Sequence, residues 1–359
     1  MKREINIYQR CVGLLSVSLF FIISIVSNDI YGSKESFEKF IEVKKTEAIS
    51  RGYDKPFVDK IFDEVKYSDN VISLSERQAE FTKSVSSYLS DMVSLKRAKE
   101  GRLFRREHIQ TFDKYEEKYK VEASVLSALI GLETNYGSYT GVHNLMDSML
   151  SLSYMKKRAS FFDGQMWSLV SLGYENKIDI SKLKGSWAGA SGYVQFIPSN
   201  ISDFGVDGNS DGKVDIWSSW PDAIASGKNF LKNRGYKYGE DIVYFISSTD
   251  IDINTKEKVS WWAKRVLVWD YQKEGYTNNW RITSKSRQAE AVLDKLCKYK
   301  NEWRVCNEKY GVIEDTQYYL KLPNYFVLRR WNNSTSYVLA VAKLSKMINM
   351  SIPRNPYPL

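Results

Sequence analysis

Residues 129–137 read LIGLETNYG, and this stretch places an acidic residue on the apolar face of a predicted helix. Apolar residues recur at helical spacing, and Glu133 lies four residues after Leu129 and three after Ile130. The pattern predicts a helix over residues 121–136, ended by the glycine that follows. Burying an unpartnered carboxylate is costly, so this glutamate requires an explanation.

Two interpretations of Glu133 remain open from spacing alone. A glutamate near the end of a helix often turns outward into solvent, and Gly137 is only one turn away. Alternatively, apolar surroundings raise the pKa of a carboxyl group, so that it keeps a proton near neutral pH and can donate it. Cleavage of a glycosidic bond requires such a donor.

Composition and charge restrict the class of protein. The chain has 359 residues, 43% of them hydrophobic and 14% aromatic, which suffices for one elaborated domain or two or three smaller ones. The formal net charge of +9 favours an anionic partner such as nucleic acid, an acidic membrane surface or an acidic wall polymer. The basic residues are spread along the chain without interleaved aromatic residues, which argues against nucleic acid.

The N-terminus has the layout of a secretory signal. Basic residues precede an uncharged run over residues 12–27, VGLLSVSLFFIISIVS. This run is shorter than the roughly 20 residues that a spanning helix needs, so a cleaved signal over residues 1–32 is favoured over a retained membrane anchor. Both alternatives predict export, and Cys11 would leave with a cleaved signal.

The remaining cysteines are Cys297 and Cys306, which predict a disulfide in an exported protein, with two free buried thiols as the alternative. Two histidines and three cysteines without C-x-x-C or H-E-x-x-H make a zinc site unconvincing. Nucleotide-binding fingerprints and a G-x-S-x-G elbow are also missing from the sequence, so no organic cofactor is expected.

The remaining pattern predicts mostly helices. Residues 33 to about 120 are polar with helical periodicity, and the glycine-rich residues 184–200 predict a loop that enters a short helix. Three more helices are predicted over Leu145–Tyr154, Phe161–Leu172 and Trp220–Asn233. Alternation in DIVYFISSTDIDI (241–253) predicts strands, and NYFVLRR (324–330) predicts an extended piece before a closing helix capped near Ser334 or Thr335.

Five motifs in order resemble those of lytic transglycosylases. GLETNYG resembles their E-T-x-aromatic-G signature, and GSWAGASGYVQFIPS resembles their second motif, a glycine-rich turn before an aromatic-x-Q-F-x-P-S run. The other three are NLMDSMLSLSY, the segment at residues 158–162 and LPNYFVLRRWNNSTSY. Together they look like the membrane-bound lytic murein transglycosylase B family, with clear resemblance over about residues 110–235 and 322–345.

This resemblance implies a mainly α (α+β) fold with a lysozyme-like catalytic core, a helical N-terminal layer and a small mixed insert. It also implies a periplasmic location. The expected division is a signal or anchor at 1–32, a helical N-terminal domain at 33–115, the core with an EF-hand-like loop at 116–238, a mixed α/β insert at 239–321 and a closing segment at 322–359.

The resemblance implies that Glu133 is the single catalytic acid and base. It would protonate the oxygen between N-acetylmuramic acid and N-acetylglucosamine in peptidoglycan, then deprotonate the muramoyl 6-hydroxyl as a 1,6-anhydro ring closes. No water is consumed and no second carboxylate is needed, unlike in ordinary glycosidases. The alternatives are a hydrolytic muramidase that uses the same acid, and an inactive wall-binding scaffold.

Four binding residues follow from the same motifs. Ser186 matches a serine that supports the acid or the substrate amide, and Gln195 matches a glycan-binding glutamine. Asn332 matches an asparagine near the catalytic acid. Trp331 stands where the family pattern has a tyrosine, which puts a hydroxyl role at this position in doubt and leaves stacking on a sugar ring.

The remaining candidates are mostly aromatic. Tyr136, Tyr193 and Phe196 would either line the glycan groove or pack in the core. Arg158 begins the matching segment at residues 158–162 and is expected to contact substrate.

Residues 207–215, DGNSDGKVD, match D-x-[DN]-x-[DN]-G, the first half of a calcium loop. The twelfth position is Ser218 instead of glutamate, so the loop departs from the standard pattern. The resemblance implies an atypical EF-hand-like loop that binds structural Ca²⁺, and a solvated acidic turn is the alternative. The expected ligands are Asp207, Asn209, Asp211, the Lys213 carbonyl and Asp222.

Overall fold

The structure is a computed structural model that describes residues 34–77, 84–155, 158–247, 296–299, 302–305, 310–313 and 317–350. The predicted signal over residues 1–32 lies outside the described residues, as does Cys306, so the predicted disulfide is untested. Within the part that is described, no helix is both long and apolar enough to cross a membrane.

Helices account for most of the described residues. They are α1 (Lys34–Ser50), α2 (Lys55–Phe62), α3 (Asp69–Arg77), α4 (Val85–Met92), α5 (Leu95–Glu107), α6 (Ile109–Tyr119), α7 (Ala123–Thr134), α8 (Leu145–Tyr154), α9 (Ala159–Asn176), α10 (Pro198–Phe204), α11 (Trp220–Asn233), α12 (Pro323–Trp331) and α13 (Thr335–Asn349). A 3₁₀ turn at Ile180–Lys182 follows α9.

The strands among the described residues are short and antiparallel. They are β1 (His143–Asn144), β2 (Lys184–Gly185), β3 (Val243–Ser247), β4 (Leu296–Tyr299), β5 (Glu302–Val305), β6 (Tyr310–Ile313) and β7 (Gln317–Lys321). They form one sheet of order β3-β7-β6 and the two pairs β1-β2 and β4-β5. The predicted mainly α fold is confirmed, and β3 confirms the strand predicted near residue 243.

The chain divides into two compact units. Unit 1 comprises Met1–Glu80, Thr140–Asp203 and Ser210–Trp217, and unit 2 comprises Phe81–Tyr139, Phe204–Asn209 and Ser218–Leu359. The domain boundaries given above from the sequence remain predictions.

Unit 1 is built around α8 and α9, which pack against each other. The predicted helix Leu145–Tyr154 has the bounds of α8, because the Asn144 side chain caps it by accepting a hydrogen bond from the Asp147 N–H at 3.1 Å. Aromatic edges fill the space between elements: the Phe37 ring lies 5.2 Å from Tyr67 and 5.3 Å from Tyr154.

Unit 2 is built around α7, which packs against α5, α6, α11 and α13. Every residue of α7 except Glu133 is buried, so the helix is central to unit 2. The sequence pattern predicts an amphipathic helix, and this prediction is wrong. Its end also differs from the prediction. The chain leaves the helix at Asn135, where φ is +48°, because asparagine tolerates the left-handed conformation; Tyr136 and Gly137 follow with φ of +58° and +84°.

The closing segment corrects one prediction. Residues 324–330, expected to be extended, lie in helix α12. Pro323 occupies the first turn, where its fixed φ suits a helix and its missing N–H has no helical partner to lose. Tyr325 and Leu328, three residues apart, then face the core. Helix α13 begins as predicted, with the Ser334 hydroxyl accepting the Tyr337 N–H at 3.4 Å.

Candidate active site

Glu133 is the one residue of α7 that reaches the surface of unit 2. It lies in the last turn and is half-buried, whereas its neighbours Leu132 and Thr134 are buried. The helix on which it sits is held by core packing along its whole length. A rigid element therefore carries this carboxyl group to a partly accessible position.

Two side chains from the closing segment donate hydrogen bonds to Glu133. The Trp331 Nε1 lies 2.9 Å from Oε1, and the Tyr337 hydroxyl lies 2.6 Å from the same oxygen. Within the described part of the chain, the hydrogen bonds of the Glu133 carboxyl group all end on Oε1. Oε2 is the oxygen left to meet a reacting group.

Burial raises the pKa of Glu133 above its ordinary value, and the hydrogen bonds from Tyr337 and Trp331 offset part of this effect. Burial also raises the pKa of Tyr337 well above its usual range, with the neighbouring Glu133 carboxyl group adding to the effect. Tyr337 therefore remains a neutral donor. A carboxylic acid with a raised pKa can supply a proton near neutral pH.

Tyr337 is the functional residue that sequence reasoning missed. It is the last residue of the quoted closing motif, and its position in the first turn of α13 looks like that of an ordinary core aromatic residue. The hydroxyl group that bonds to Glu133 is that of Tyr337, whereas the residue preceding Asn332 is Trp331 and donates through its indole N–H. A buried tyrosine hydroxyl usually has a polar partner, and this is the signal that could have identified it.

Trp331 and Asn332 lie at the end of α12. The Trp331 ring packs edge-on against Phe230, with ring centroids 5.3 Å apart and planes at 79°. Its polar edge therefore points to Glu133 while its ring is held by the core. Asn332 is the C-cap residue, and its backbone N–H donates to Leu328 O at 3.0 Å.

Tyr136 is placed inside unit 2. Its hydroxyl donates to Arg97 O at 2.8 Å, and its ring lies 5.5 Å from that of Phe104. A Cβ added at Gly131 would meet the Tyr136 ring at 2.5 Å, so this glycine makes room for the ring. This placement favours packing over contact with a sugar.

Within unit 1, the second motif forms a compact turn. The Ser186 hydroxyl accepts the Ala190 N–H at 3.0 Å, and the Ser186 N–H donates to Ala190 O at 2.7 Å. The Gln195 amide donates to Thr140 O at 3.1 Å and to Gly192 O at 3.0 Å, with the backbone in the left-handed region at φ +48°. Ser186 therefore braces its own loop, and Gln195 both braces the loop at Gly192 and ties it to Thr140.

The other unit 1 candidates differ in exposure. Phe196 is buried, at 2% exposure, which favours packing. Tyr193 is half-buried, and its backbone N–H donates to Ile216 O at 2.9 Å. Arg158 precedes α9 at φ +61°, with its guanidinium 4.6 Å from the centre of the Phe161 ring.

The predicted calcium loop is divided between the units: Asp207, Asn209 and Asp222 belong to unit 2, and Asp211 and Lys213 to unit 1. All the predicted donors are oxygen atoms, as calcium prefers, and Gly212 takes the left-handed turn at φ +86° that its position in the pattern requires. The residue types therefore fit calcium. Among the described residues, however, no three His, Cys, Asp or Glu side chains cluster as a metal site does.

Asp222 is engaged by protein donors. It is fully buried at 0% exposure, and its Oδ1 accepts the Gly208 N–H at 2.9 Å, the Asn209 N–H at 3.3 Å and the Ser219 hydroxyl at 2.8 Å. This carboxylate fastens the start of the loop to the first turn of α11 whether or not a metal is bound.

Residues 36–346 match the Transglycosylase SLT domain family. The chain belongs to this family, and the resemblance found in the motifs is confirmed. The protein is therefore an enzyme of the transglycosylase class.

Among its relatives is the membrane-bound lytic murein transglycosylase B of Escherichia coli, 26% identical over 311 residues that cover 84% of this chain and 80% of the relative. SltB3 from Pseudomonas aeruginosa, solved in complex with NAG-anhNAM-pentapeptide, is 25% identical over 87% of this chain and 79% of its own, with a TM-score of 0.66. The Escherichia coli lytic transglycosylase Slt35, solved in complex with calcium, shares the fold: 22% identity over 87% of this chain and 92% of its own, with a TM-score of 0.62.

Proposed function

We propose that this protein is a lytic transglycosylase that cleaves the β-1,4 bond between N-acetylmuramic acid and N-acetylglucosamine in peptidoglycan, with Glu133 as its single acid and base. The observation that carries the proposal is the Glu133 carboxyl group itself. It is half-buried, its pKa is raised by burial, and both of its donors meet Oε1. Membership of the family and the muropeptide bound to SltB3 support the substrate class.

The reaction needs one group that first gives and then takes a proton. Glu133, protonated, donates to the oxygen of the glycosidic bond as that bond breaks. The resulting carboxylate accepts the proton of the muramoyl 6-hydroxyl, whose oxygen bonds to C1 and closes the 1,6-anhydro ring. Tyr337 and Trp331 stabilise the carboxylate between the two steps by donating to Oε1. Glu133 ends protonated, ready for the next bond.

The mass of the products tests this function. Purified sacculi digested with the protein should yield muropeptides that end in 1,6-anhydro-N-acetylmuramic acid, each lighter by one water than its hydrolysed counterpart. Mass spectrometry of the released fragments distinguishes the two. Reducing ends alone would identify a hydrolytic muramidase, and no release at all would favour a wall-binding scaffold.

We propose that the remaining motif residues bind glycan. Gln195, Ser186, Tyr193 and Arg158 belong to unit 1, and Asn332 belongs to unit 2. Their support is the order of the motifs in the sequence. Neither nucleic acid nor an organic cofactor is part of the proposal.

Calcium is proposed as a structural ion on the loop that begins at Asp207, with oxygen donors from Asp207, Asn209, Asp211, Lys213 and Asp222. The calcium complex of Slt35 supports this proposal. The ion would brace the loop and take no part in the chemistry.

A calcium site makes a prediction about stability. A ligand that binds only the folded state stabilises it by about 2.7 kcal/mol at a concentration 100 times its Kd, so added calcium should raise Tm. Differential scanning calorimetry with calcium and with EDTA measures the change. Asp211→Ala should abolish the rise, whereas Asp203→Ala, a control outside the loop, should retain it. An unchanged Tm in the wild type would reject the metal.

We propose that the protein is exported to the periplasm. The support is the layout of residues 1–32 and the name of the Escherichia coli relative, which describes that protein as membrane-bound. A retained N-terminal segment would add membrane association.

A further inference from the structure

The indole of Trp331 restricts what this position can do with a proton. An indole N–H can only donate a hydrogen bond, whereas a phenol can donate or accept one. In this structure the indole N–H is aimed at one oxygen of Glu133, at 2.9 Å from Oε1. Oε1 must therefore act as an acceptor.

The second donor meets the same oxygen. The Tyr337 hydroxyl lies 2.6 Å from Oε1. Alone, this contact would be ambiguous, because a phenol can either donate to a carbonyl oxygen or accept from a protonated one. The indole removes the ambiguity, since an oxygen that carries the acidic hydrogen has little capacity left to accept two hydrogen bonds.

We infer that Trp331 is a positioning residue that, together with Tyr337, keeps the acidic hydrogen of Glu133 on Oε2, the oxygen available to the glycosidic bond. The inference rests on the proposed role of Glu133. The indole is held in place by edge-on packing against Phe230, at 5.3 Å between ring centroids, so the direction of its N–H is fixed by the core. Proton donation then always starts with the hydrogen on Oε2, instead of on either of the two carboxyl oxygens.

Trp331→Phe tests the inference because it keeps an aromatic ring and removes the donor. We expect the rate on purified glycan strands to fall about 10-fold at the pH optimum, as the acidic hydrogen is no longer confined to one oxygen. Losing a donor to the carboxylate also raises the pKa of Glu133, since the hydrogen bond from Trp331 lowers it in the wild type. The basic limb of the kcat/KM profile should therefore move to higher pH.

A matched control separates this effect from lost packing. Trp220→Phe makes the same exchange at an indole that packs edge-on against Phe104 in unit 2, and it should leave the basic limb at its wild-type pH. Tyr337→Phe removes the other donor and should move the limb in the same direction as Trp331→Phe, which keeps the inference testable if Trp331→Phe does not fold.

The outcomes are distinct. If Trp331→Phe and Tyr337→Phe leave the basic limb unmoved in an active enzyme, or if Trp220→Phe moves it equally, the positioning role is wrong. If the wild type releases no anhydro products, the proposed function is wrong instead. Thermal unfolding of each variant confirms that the profiles come from folded protein.

Discussion

Glu133→Gln should lower the rate of glycan cleavage by about 1000-fold or more, because one side chain supplies both proton transfers and general acid-base catalysis alone contributes 10² to 10⁴. The amide keeps an oxygen that can accept the hydrogen bonds from Trp331 and Tyr337, which now meet Oε1 of the glutamate. Binding of sacculi should therefore persist while cleavage disappears. Initial rates of fragment release and co-sedimentation with sacculi measure the two properties.

Glu122→Gln is the matched control for this substitution. Glu122 precedes the same helix, is also half-buried, and also has its pKa raised by burial. Its carboxylate accepts the Gly239 N–H at 2.6 Å, an interaction that the amide oxygen can retain. Cleavage close to the wild-type rate in Glu122→Gln would assign the loss in Glu133→Gln to the position of that carboxyl group. Equal loss in both would point to damage to the helix.

Lys228→Ala should lower the free energy of unfolding by about 3 kcal/mol, the size expected when a buried charge pair loses one partner. Lys228 lies in α11 and is fully buried at 0% exposure. Its ammonium donates to Val121 O at 2.8 Å and to Phe112 O at 3.1 Å, and it lies 3.5 Å from Glu116 Oε2. The substitution leaves these acceptors without their donor and opens a cavity.

The position of Lys228 also connects the predicted loss of stability to the active site. Glu116 Oε2 also accepts the N–H of Ala123, the first residue of α7, at 2.6 Å. Lys228 thus contacts Glu116, which bonds to the first residue of the helix carrying Glu133, and Val121, which lies two residues before that helix. Lys232→Ala, on the exposed side of α11, is the control and should change stability by less than about 0.5 kcal/mol.

The contribution of Lys228 should depend on pH in a defined direction. Burial lowers its pKa from 10.5 to about 8, against the opposing effects of Glu116 and Glu122 and with Arg105 contributing in the same direction as burial. Between about pH 8 and 10.5, Lys228 is protonated in the unfolded chain and largely neutral in the folded one. The contribution of Lys228 to the free energy of unfolding therefore increases as pH rises through this range. Urea unfolding at pH 7 and pH 9.5 measures the free energy of unfolding of the wild type and of Lys228→Met. The free energy by which the wild type exceeds the variant should be larger at pH 9.5. A smaller excess at pH 9.5 would contradict the lowered pKa of Lys228.

Local signals predicted the parts of the fold that depend on local sequence. Helix α8 has the bounds that its apolar residues predicted, and the Asn144 cap found in the structure explains its start. Glu133 was identifiable from its phase on the helix and from its motif. Lys228 also lies in phase with Ile224 and Leu231, so the same helical arithmetic would have placed its side chain in the core.

The parts that failed depend on contacts distant in sequence. Tyr337 meets Glu133 across 204 positions, and only the packing of α13 against α7 brings them together. Helix α12 was predicted as extended because its aromatic and β-branched residues favour strands, whereas burial of one face in unit 2 decides for a helix. The hydroxyl that contacts Glu133 belongs to Tyr337, six residues after Trp331 and in the next helix.

The most direct test of the central claim is a digestion of sacculi in ¹⁸O-labelled water with the wild type, Glu122→Gln and Glu133→Gln, followed by mass spectrometry of the new ends. If Glu133 both gives the proton and recovers it from the muramoyl 6-hydroxyl, the first two proteins should produce anhydro ends that carry no ¹⁸O, and Glu133→Gln should produce almost none. Reducing ends labelled with ¹⁸O from the wild type, or anhydro ends from Glu133→Gln at the wild-type rate, would contradict the account.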